Sequence, residues 1–240
     1  MLIACIRGKV GDPKKLREDF LTSAVFGLLK YFPPSIVWPT LLAKVTACRD
    51  DKSVLDYAKR EGLDFAGYES VDIRFWERKG HNEPDMVIQF KGPKQPTLQL
   101  ITEVKLRSLR NVRGKDDQLG RYMRLLGRRM KNTVSALVYI TPDEVKYHED
   151  LEACFHRDAS LAKYEHQVFR LYWPDLGEAI RDACQSELEP PYNSLLTDLD
   201  DFFRRFPLSG GAKAIRIGRV IGDRVSGDDH GNFVITVFPS

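Results

Sequence analysis

Cysteine is sparse in this chain and follows no pattern. Cys5, Cys48, Cys154 and Cys184 are scattered, with no Cys-x-x-Cys pair, which argues against a zinc ribbon and for reduced thiols in a reducing compartment. No stretch approaches the roughly 18 apolar residues that a membrane span needs, so no membrane partner is expected. Met1-Leu2-Ile3-Ala4-Cys5-Ile6-Arg7 lacks a basic lead-in and is too short for a signal peptide; the expected location is cytoplasmic. Internal repeats, a Walker A loop, a helix-turn-helix signature and a His-Glu-x-x-His motif are all missing, so the chain shows neither a motor nor a specificity module of its own. Excess charge of one sign is lacking too: 37 Lys and Arg against 34 Asp and Glu leave a formal +3, too little by itself to prove a nucleic-acid partner. Distribution says more, because residues 107–131 hold nine Lys/Arg against only Asp116 and Asp117.

What is present is an ordinary globular composition. Hydrophobic content of 42% and charged content of 30% over 240 residues fit one or two domains with a substantial core. Residues 2–6 read as a short strand. Asp12-Pro13 is a helix-start signal, and the stripe Leu16, Phe20, Ala24, Leu28 with Leu21, Val25, Leu29 predicts a helix from Lys14 to Phe32, stopped by Pro33-Pro34. Glu18 sits at the margin of that stripe. Residues 35–49 are apolar around Trp38 and Pro39, residues 52–60 read as helix, and residues 71–78 alternate as a strand. His81 falls in the turn that follows, where a solvated histidine competes with one that touches a site.

The most informative stretch runs from Pro84 to Tyr122. Asp85 opens a strand whose apolar face is Met86, Ile88 and Phe90, and residues 98–106 read as the returning strand after a turn. Alternation puts Glu103 and Lys105 on one face, with Thr102, Val104 and Leu106 on the other. A hairpin therefore brings Asp85 beside Glu103 and Lys105. A buried carboxylate without a partner is expensive, and two of them make an oxygen-rich site suited to Mg²⁺ or Mn²⁺; a surface ion network is the bland alternative. Residues 116–131 read as a helix with Leu119, Tyr122, Met123, Leu126 and Met130 as its apolar face. On it Gln118 and Tyr122 are neighbours at i and i+4, and Arg121, Arg124, Arg128 and Arg129 spread around the rest. Residues 135–141 form a buried central strand.

Asp85, Glu103-Val104-Lys105 and the pair Gln118/Tyr122, in this order, resemble the PD-(D/E)xK nuclease superfamily, with the Gln-x-x-x-Tyr spacing of its RecB-like and lambda-exonuclease-like branch. The resemblance covers residues 18–141. It implies an α/β fold with a restriction-endonuclease-like core (helix, three strands in antiparallel hairpins, helix, strand) over residues 1–141, and an α+β extension over residues 142–240. It implies a metal-dependent nuclease, most readily of DNA with RNA left open, in which Asp85, Glu103 and the carbonyl of Val104 hold Mg²⁺, with Mn²⁺ able to substitute. Lys105 then orients the attacking water or stabilises charge, Glu18 completes the metal shell, and Gln118 and Tyr122 contact the scissile region. Arg107, Arg121, Arg124 and Arg128 become a phosphate track rather than a solvated face. Relatives with an iron–sulfur cluster use three clustered downstream cysteines; this chain has none, so no such cluster is expected.

Two alternatives stay open beside that reading. Glu18 in a first helical turn also serves the helix dipole, and a non-catalytic nucleic-acid-binding or assembly subunit could keep the same fold. A role in defence or repair, with a protein partner or a homo-oligomer gating activity, follows from the resemblance alone. Beyond residue 141 the sequence predicts a helix over 142–159, a strand over 168–172 and a helix over 174–186. It then predicts a break at Glu189-Pro190-Pro191, a helix over 194–206, a linker at 209–211 and a closing hairpin of 214–221 with 233–238. Asp228-Asp229-His230 reads as that hairpin's tip.

Overall fold

A six-stranded mixed sheet organises the molecule, in the order β1-β8-β7-β4-β3-β2. The computed structural model describes residues 18–47, 50–78, 82–106, 112–113, 116–128, 130–186, 188–206 and 208. The first strand, His81, Arg107, Arg129, the linker and the closing hairpin expected from sequence lie outside the described residues, which all fall in one compact unit, Met1–Gly210. Its elements are α1 (Glu18–Leu29), α2 (Val37–Ala43), β1 (Thr46–Ala47), α3 (Val54–Arg60), β2 (Ser70–Phe75), β3 (Met86–Lys91), β4 (Thr97–Val104), β5 (Val112–Arg113), β6 (Asp116–Asp117), α4 (Gln118–Leu126), β7 (Thr133–Thr141), α5 (Glu144–Arg157), a 3-10 segment (Ala159–Gln167), β8 (Val168–Tyr172), α6 (Trp173–Ala183) and α7 (Pro190–Arg205).

β2, β3 and β4 form an antiparallel meander, with Phe75 across from Met86 and Met86 across from Thr102. β7 joins β4 in parallel, and β8 joins β7 in parallel. Helices cover both faces, which is why β4 and the second half of β7 are buried almost throughout. The period of two sorts β7 between two cores. Ala136, Val138 and Ile140 pack with residues of α1, α2, α6 and α7, whereas Leu137 and Tyr139 pack with α4 and α5. β3 and β4 are less symmetric. Met86, Ile88, Phe90, Leu98 and Leu100 all enter the first core. The opposite face of these strands carries Gln89 hydrogen-bonded to Gln99 at 2.9 Å, together with Asp85 and Glu103.

Several elements differ from the sequence reading, each for a local reason. The apolar stretch around Trp38 forms a two-turn helix, because Pro39 falls in its first turn, where its missing N–H would have no partner anyway. Trp38 is fully buried, donates Nε1–H to the Phe32 carbonyl at 3.3 Å, and meets Phe90 edge-on. Pro190-Pro191 is not a break ahead of a helix but the start of α7, with Glu189 as its N-cap. The helix expected over 116–131 is shorter. The Asp117 side chain caps it by accepting the Leu119 N–H, leaving Asp116–Asp117 extended, and the helix stops at Gly127. A Cβ on Gly127 would lie 2.2 Å from the Tyr164 hydroxyl, so a larger residue there would have to displace the tip of that ring. Met130, expected on the helix's apolar face, lies beyond it and is exposed. β7 and β8 are hydrogen-bonded neighbours, so the sheet runs on through residues 168–172 of the segment read as an extension.

Candidate active site

Where β3 starts, β4 still has backbone left over. Met86 is the first residue of β3 in register, opposite Thr102, so Val104 and Leu106 find no strand on that side. Two carboxylates stand in for it. Asp85 Oδ2 accepts the Val104 N–H at 2.7 Å, and Glu18 Oε1 accepts the Leu106 N–H at 2.8 Å. On the other side the Lys105 N–H continues the ladder to the Ile140 carbonyl, and the Lys105 carbonyl accepts Nε1–H of the buried Trp173. The backbone of residues 104–106 is thereby held from four places, and charged side chains fill two of them.

Glu103 and Lys105 follow from alternation along this strand. Glu103 is 1% exposed and Lys105 8%. Lys105 Nζ lies 2.7 Å from Glu103 Oε1 and 3.9 Å from Glu18 Oε2. Burial pushes the Glu103 carboxyl up to about 8, and nearby Asp85 adds to the effect while Lys105 opposes it. Asp85 is raised as well, first by burial, with the Val104 N–H and Lys105 acting against it. Burial works against the Lys105 ammonium, yet Glu103, Asp85 and Glu18 together outweigh it and hold its pKa above the ordinary value. With all three carboxylates ionised, one ammonium faces three negative charges. Glu103 Oε2 is buried and has no hydrogen-bond partner among the described residues.

Those features fit a divalent cation. An orphaned carboxylate oxygen, a second carboxylate close enough to raise its pKa, and a net negative charge form a hard-oxygen donor set for Mg²⁺ or Mn²⁺. No group of three or more acidic, histidine or cysteine side chains placed to hold a metal ion occurs among the described residues, so an ion here would rest on Asp85 and Glu103 with backbone oxygen and water completing its shell.

Gln118 and Tyr122 reach the same place from α4. Gln118 Nε2–H donates to the Tyr122 hydroxyl at 3.1 Å, and that hydroxyl donates to the Glu83 carbonyl at 2.8 Å. The pair thus ties the helix to the backbone two residues before Asp85. Burial and then Glu103 raise the Tyr122 pKa, which keeps the phenol protonated as the donor this bond needs. Below it, buried Asp117 caps α4 and takes an ion pair from Arg157 at 3.2 Å, a brace that sequence reasoning did not identify.

Among the basic residues, Arg121 and Arg124 stand three apart and share a face of α4. Arg124 is engaged by Asp158 at 2.8 Å, Arg121 is half-buried, and Arg128 is exposed just past the end of the helix. The structure brings Asp85, Glu103, Lys105, Glu18 and, through backbone, Val104 together, and links Gln118 and Tyr122 to them. A cavity of about 730 Å³ between α3 and the 3-10 segment, lined by Lys52, Tyr57, Arg60, Glu165, His166 and Phe169, contains none of these residues; charge chemistry rather than concavity marks the site. Two features escaped the sequence: the carboxylates' hold on the β4 backbone, and Trp76 beside Asp85. Neither leaves a periodic or compositional signal.

Comparison with family models, with curated proteins and with solved structures finds no match. Among the described residues, no helix is long and apolar enough to cross a membrane.

Proposed function

We propose that the chain is a metal-dependent nuclease that hydrolyses phosphodiester bonds in DNA, and that β2–β4, α4 and β7 form a restriction-endonuclease-like core around its site. One observation carries this reading: Glu103 is a buried carboxylate with an oxygen that has no partner among the described residues, set beside Asp85 and Lys105 at the end of a strand that is otherwise core. Folding alone gains nothing from that arrangement, since an unsatisfied buried carboxylate is a cost. Bound at Asp85, Glu103 and the Val104 carbonyl, Mg²⁺ or Mn²⁺ would lower the pKa of a water and neutralise charge on the scissile phosphate.

The chain's own residues do the rest. Lys105 stays protonated and, held 2.7 Å from Glu103, acts as a point charge toward the phosphate as negative charge develops on it. Glu18 fixes the strand end through Leu106 and keeps its second oxygen toward Lys105. Tyr122 and Gln118 position the turn that bears Asp85. Arg121 and Arg128 offer forks for flanking phosphates, and a protein partner or second copy gating the site, in defence or repair, belongs to the same reading. The test is Mg²⁺-dependent degradation of end-labelled DNA, with RNA in parallel. Loss of cleavage is expected in a Lys105→Ala protein that is still folded at the assay temperature, and cleavage at the wild-type rate by that variant would sink the proposal.

A further inference from the structure

A part-exposed tryptophan follows the end of β2, with its backbone across from that of Asp85. β2 ends at Phe75, and Trp76 follows with a φ of +49°, a left-handed conformation that is strained for a bulky side chain and tends to persist at functional positions. Its N–H donates to the Asp85 carbonyl at 3.1 Å, extending by one pair the register in which Phe75 faces Met86. Trp76 is therefore directly across from Asp85. The indole is 39% exposed and lies against the Phe75 ring, with centroids 5.5 Å apart at 39°. Phe75 thus covers part of the residue, and the exposed share is available to solvent.

The contrast with the other two tryptophans is informative. Trp38 and Trp173 are fully buried, and each donates its Nε1–H to a carbonyl, so both are accounted for by the core. Trp76 fills no core and closes no cavity. The charges next to it cancel in pairs, Arg74 with Glu77 and Arg78 with Glu83, each at 2.6 Å. These two pairs therefore add little net repulsion toward an anionic strand.

We propose that Trp76 is a stacking platform for an unpaired nucleobase beside the bond to be cut, so that the substrate is a single strand or a frayed end rather than an intact duplex. The inference rests on the nuclease reading and narrows its substrate class. A flat π face accepts any base, and one such stack is worth roughly 10-fold or more in affinity. Bases inside a duplex are already stacked on both sides and reach an indole only after unpairing. The backbone bond to Asp85 sets the platform at a fixed distance from the carboxylates, so the stacked base would hold the adjoining phosphate in register with them.

The test is a fluorescence titration of the full chain with a mixed-sequence single-stranded oligonucleotide and with the matching blunt duplex, in Ca²⁺ to separate binding from cutting. Trp76 is the exposed indole of the three, so the single strand should quench emission and the duplex should not. Trp76→Phe should abolish the quench and retain most of the affinity. Trp76→Gly suits the positive φ, so it should fold with an undiminished melting temperature and still lose roughly 10-fold in single-strand affinity. In Mg²⁺ the same variant should lose most of its preference for single strands over duplex. A Trp76→Gly protein that binds and cuts single strands like wild type, or a wild type that favours the duplex, overturns the stacking role and leaves the nuclease reading standing. A wild type that cuts no nucleic acid in Mg²⁺ or Mn²⁺ removes both.

Discussion

The carboxylate of Glu18 accepts the backbone N–H of Leu106, 88 residues further along the chain, at 2.8 Å. Together with Asp85 on the Val104 N–H, it replaces the missing end of β3 along the edge of β4. The same two side chains carry charge beside Glu103 and Lys105. Structural and chemical roles are thereby combined in single residues, and substitutions that keep the acceptor but remove the charge separate them.

For Glu18 the separation is between Gln and Ala. Glu18→Gln keeps an oxygen for Leu106 and should leave the melting temperature nearly unchanged, while metal-dependent turnover falls roughly 10-fold, as for residues supporting a metal shell. Glu18→Ala leaves a buried N–H unpaired and should cost about 1–3 kcal/mol as well. Thermal melts beside a Mn²⁺ titration read both quantities. A destabilised Glu18→Gln protein with normal turnover would assign the residue to the helix terminus alone.

Asp85 gives a sharper version. Asp85→Asn keeps an acceptor for Val104 and removes one source of the strain on Glu103, so it should be at least as stable as wild type and catalytically dead. Asp85→Ala should be equally inactive and less stable by about 1–3 kcal/mol. Denaturant melts and the DNA assay check the pair; turnover by Asp85→Asn near the wild-type rate would contradict the metal role.

Glu103 makes stability depend on pH with a defined sign. Its folded pKa of about 8 lies above the ordinary 4.5, so the folded state keeps a proton that the unfolded state releases. The contribution is full below the unfolded value and is lost as pH rises through about 8. Asp85, also raised, acts in the same direction. Lys105 does not interfere, because its raised pKa matters only above its ordinary 10.5. Metal-free protein should therefore melt at lower temperature at about pH 8.5 than at about pH 5.5, and the stabilisation added by Mg²⁺ should grow over that range, since the ion needs ionised ligands. Glu103→Gln should flatten both trends. A metal-free stability that is level or rises across this interval would count against a strained Glu103.

Tyr122→Phe removes a hydroxyl that links Gln118 to the Glu83 carbonyl while preserving the buried ring. The expected cost is about 0.5–1.5 kcal/mol of stability. Activity should fall more than that cost alone explains, because the turn before Asp85 loses its tether. Full activity in this variant, measured at a temperature where it is folded, would make the hydrogen bond purely structural.

The arginines of α4 should contribute unequally to binding. Arg124 is held by Asp158, so contact with a phosphate would cost it that partner. Replacing Arg121, Arg124 and Arg128 together with alanine should lower the slope of log affinity against log salt by less than the roughly three units expected for three phosphate contacts. An unchanged slope would make them a solvated face.

Much of the architecture was legible before any coordinates. Period-two alternation marked β3 and the face shared by Glu103 and Lys105, and β8 fell on residues 168–172 as expected. Spacing alone brought Gln118 over Tyr122, because i and i+4 meet on any helix. Helix ends were less legible: Asp117 caps α4 through the Leu119 N–H and Gly127 closes it, while the apolar spacing runs on past Gly127 to Met130. The sequence by itself determined β2, β3, β4, β7 and β8, the carboxylates, the lysine and their order, but not the two-residue strands β1, β5 and β6. Only the tertiary structure decided that Asp85 and Glu18 hold the β4 backbone, that Glu103 keeps a buried oxygen without a partner among the described residues, and that a strained Trp76 faces Asp85. Register, burial and φ arise from how distant segments pack, and the identity of a side chain carries no record of them until they do.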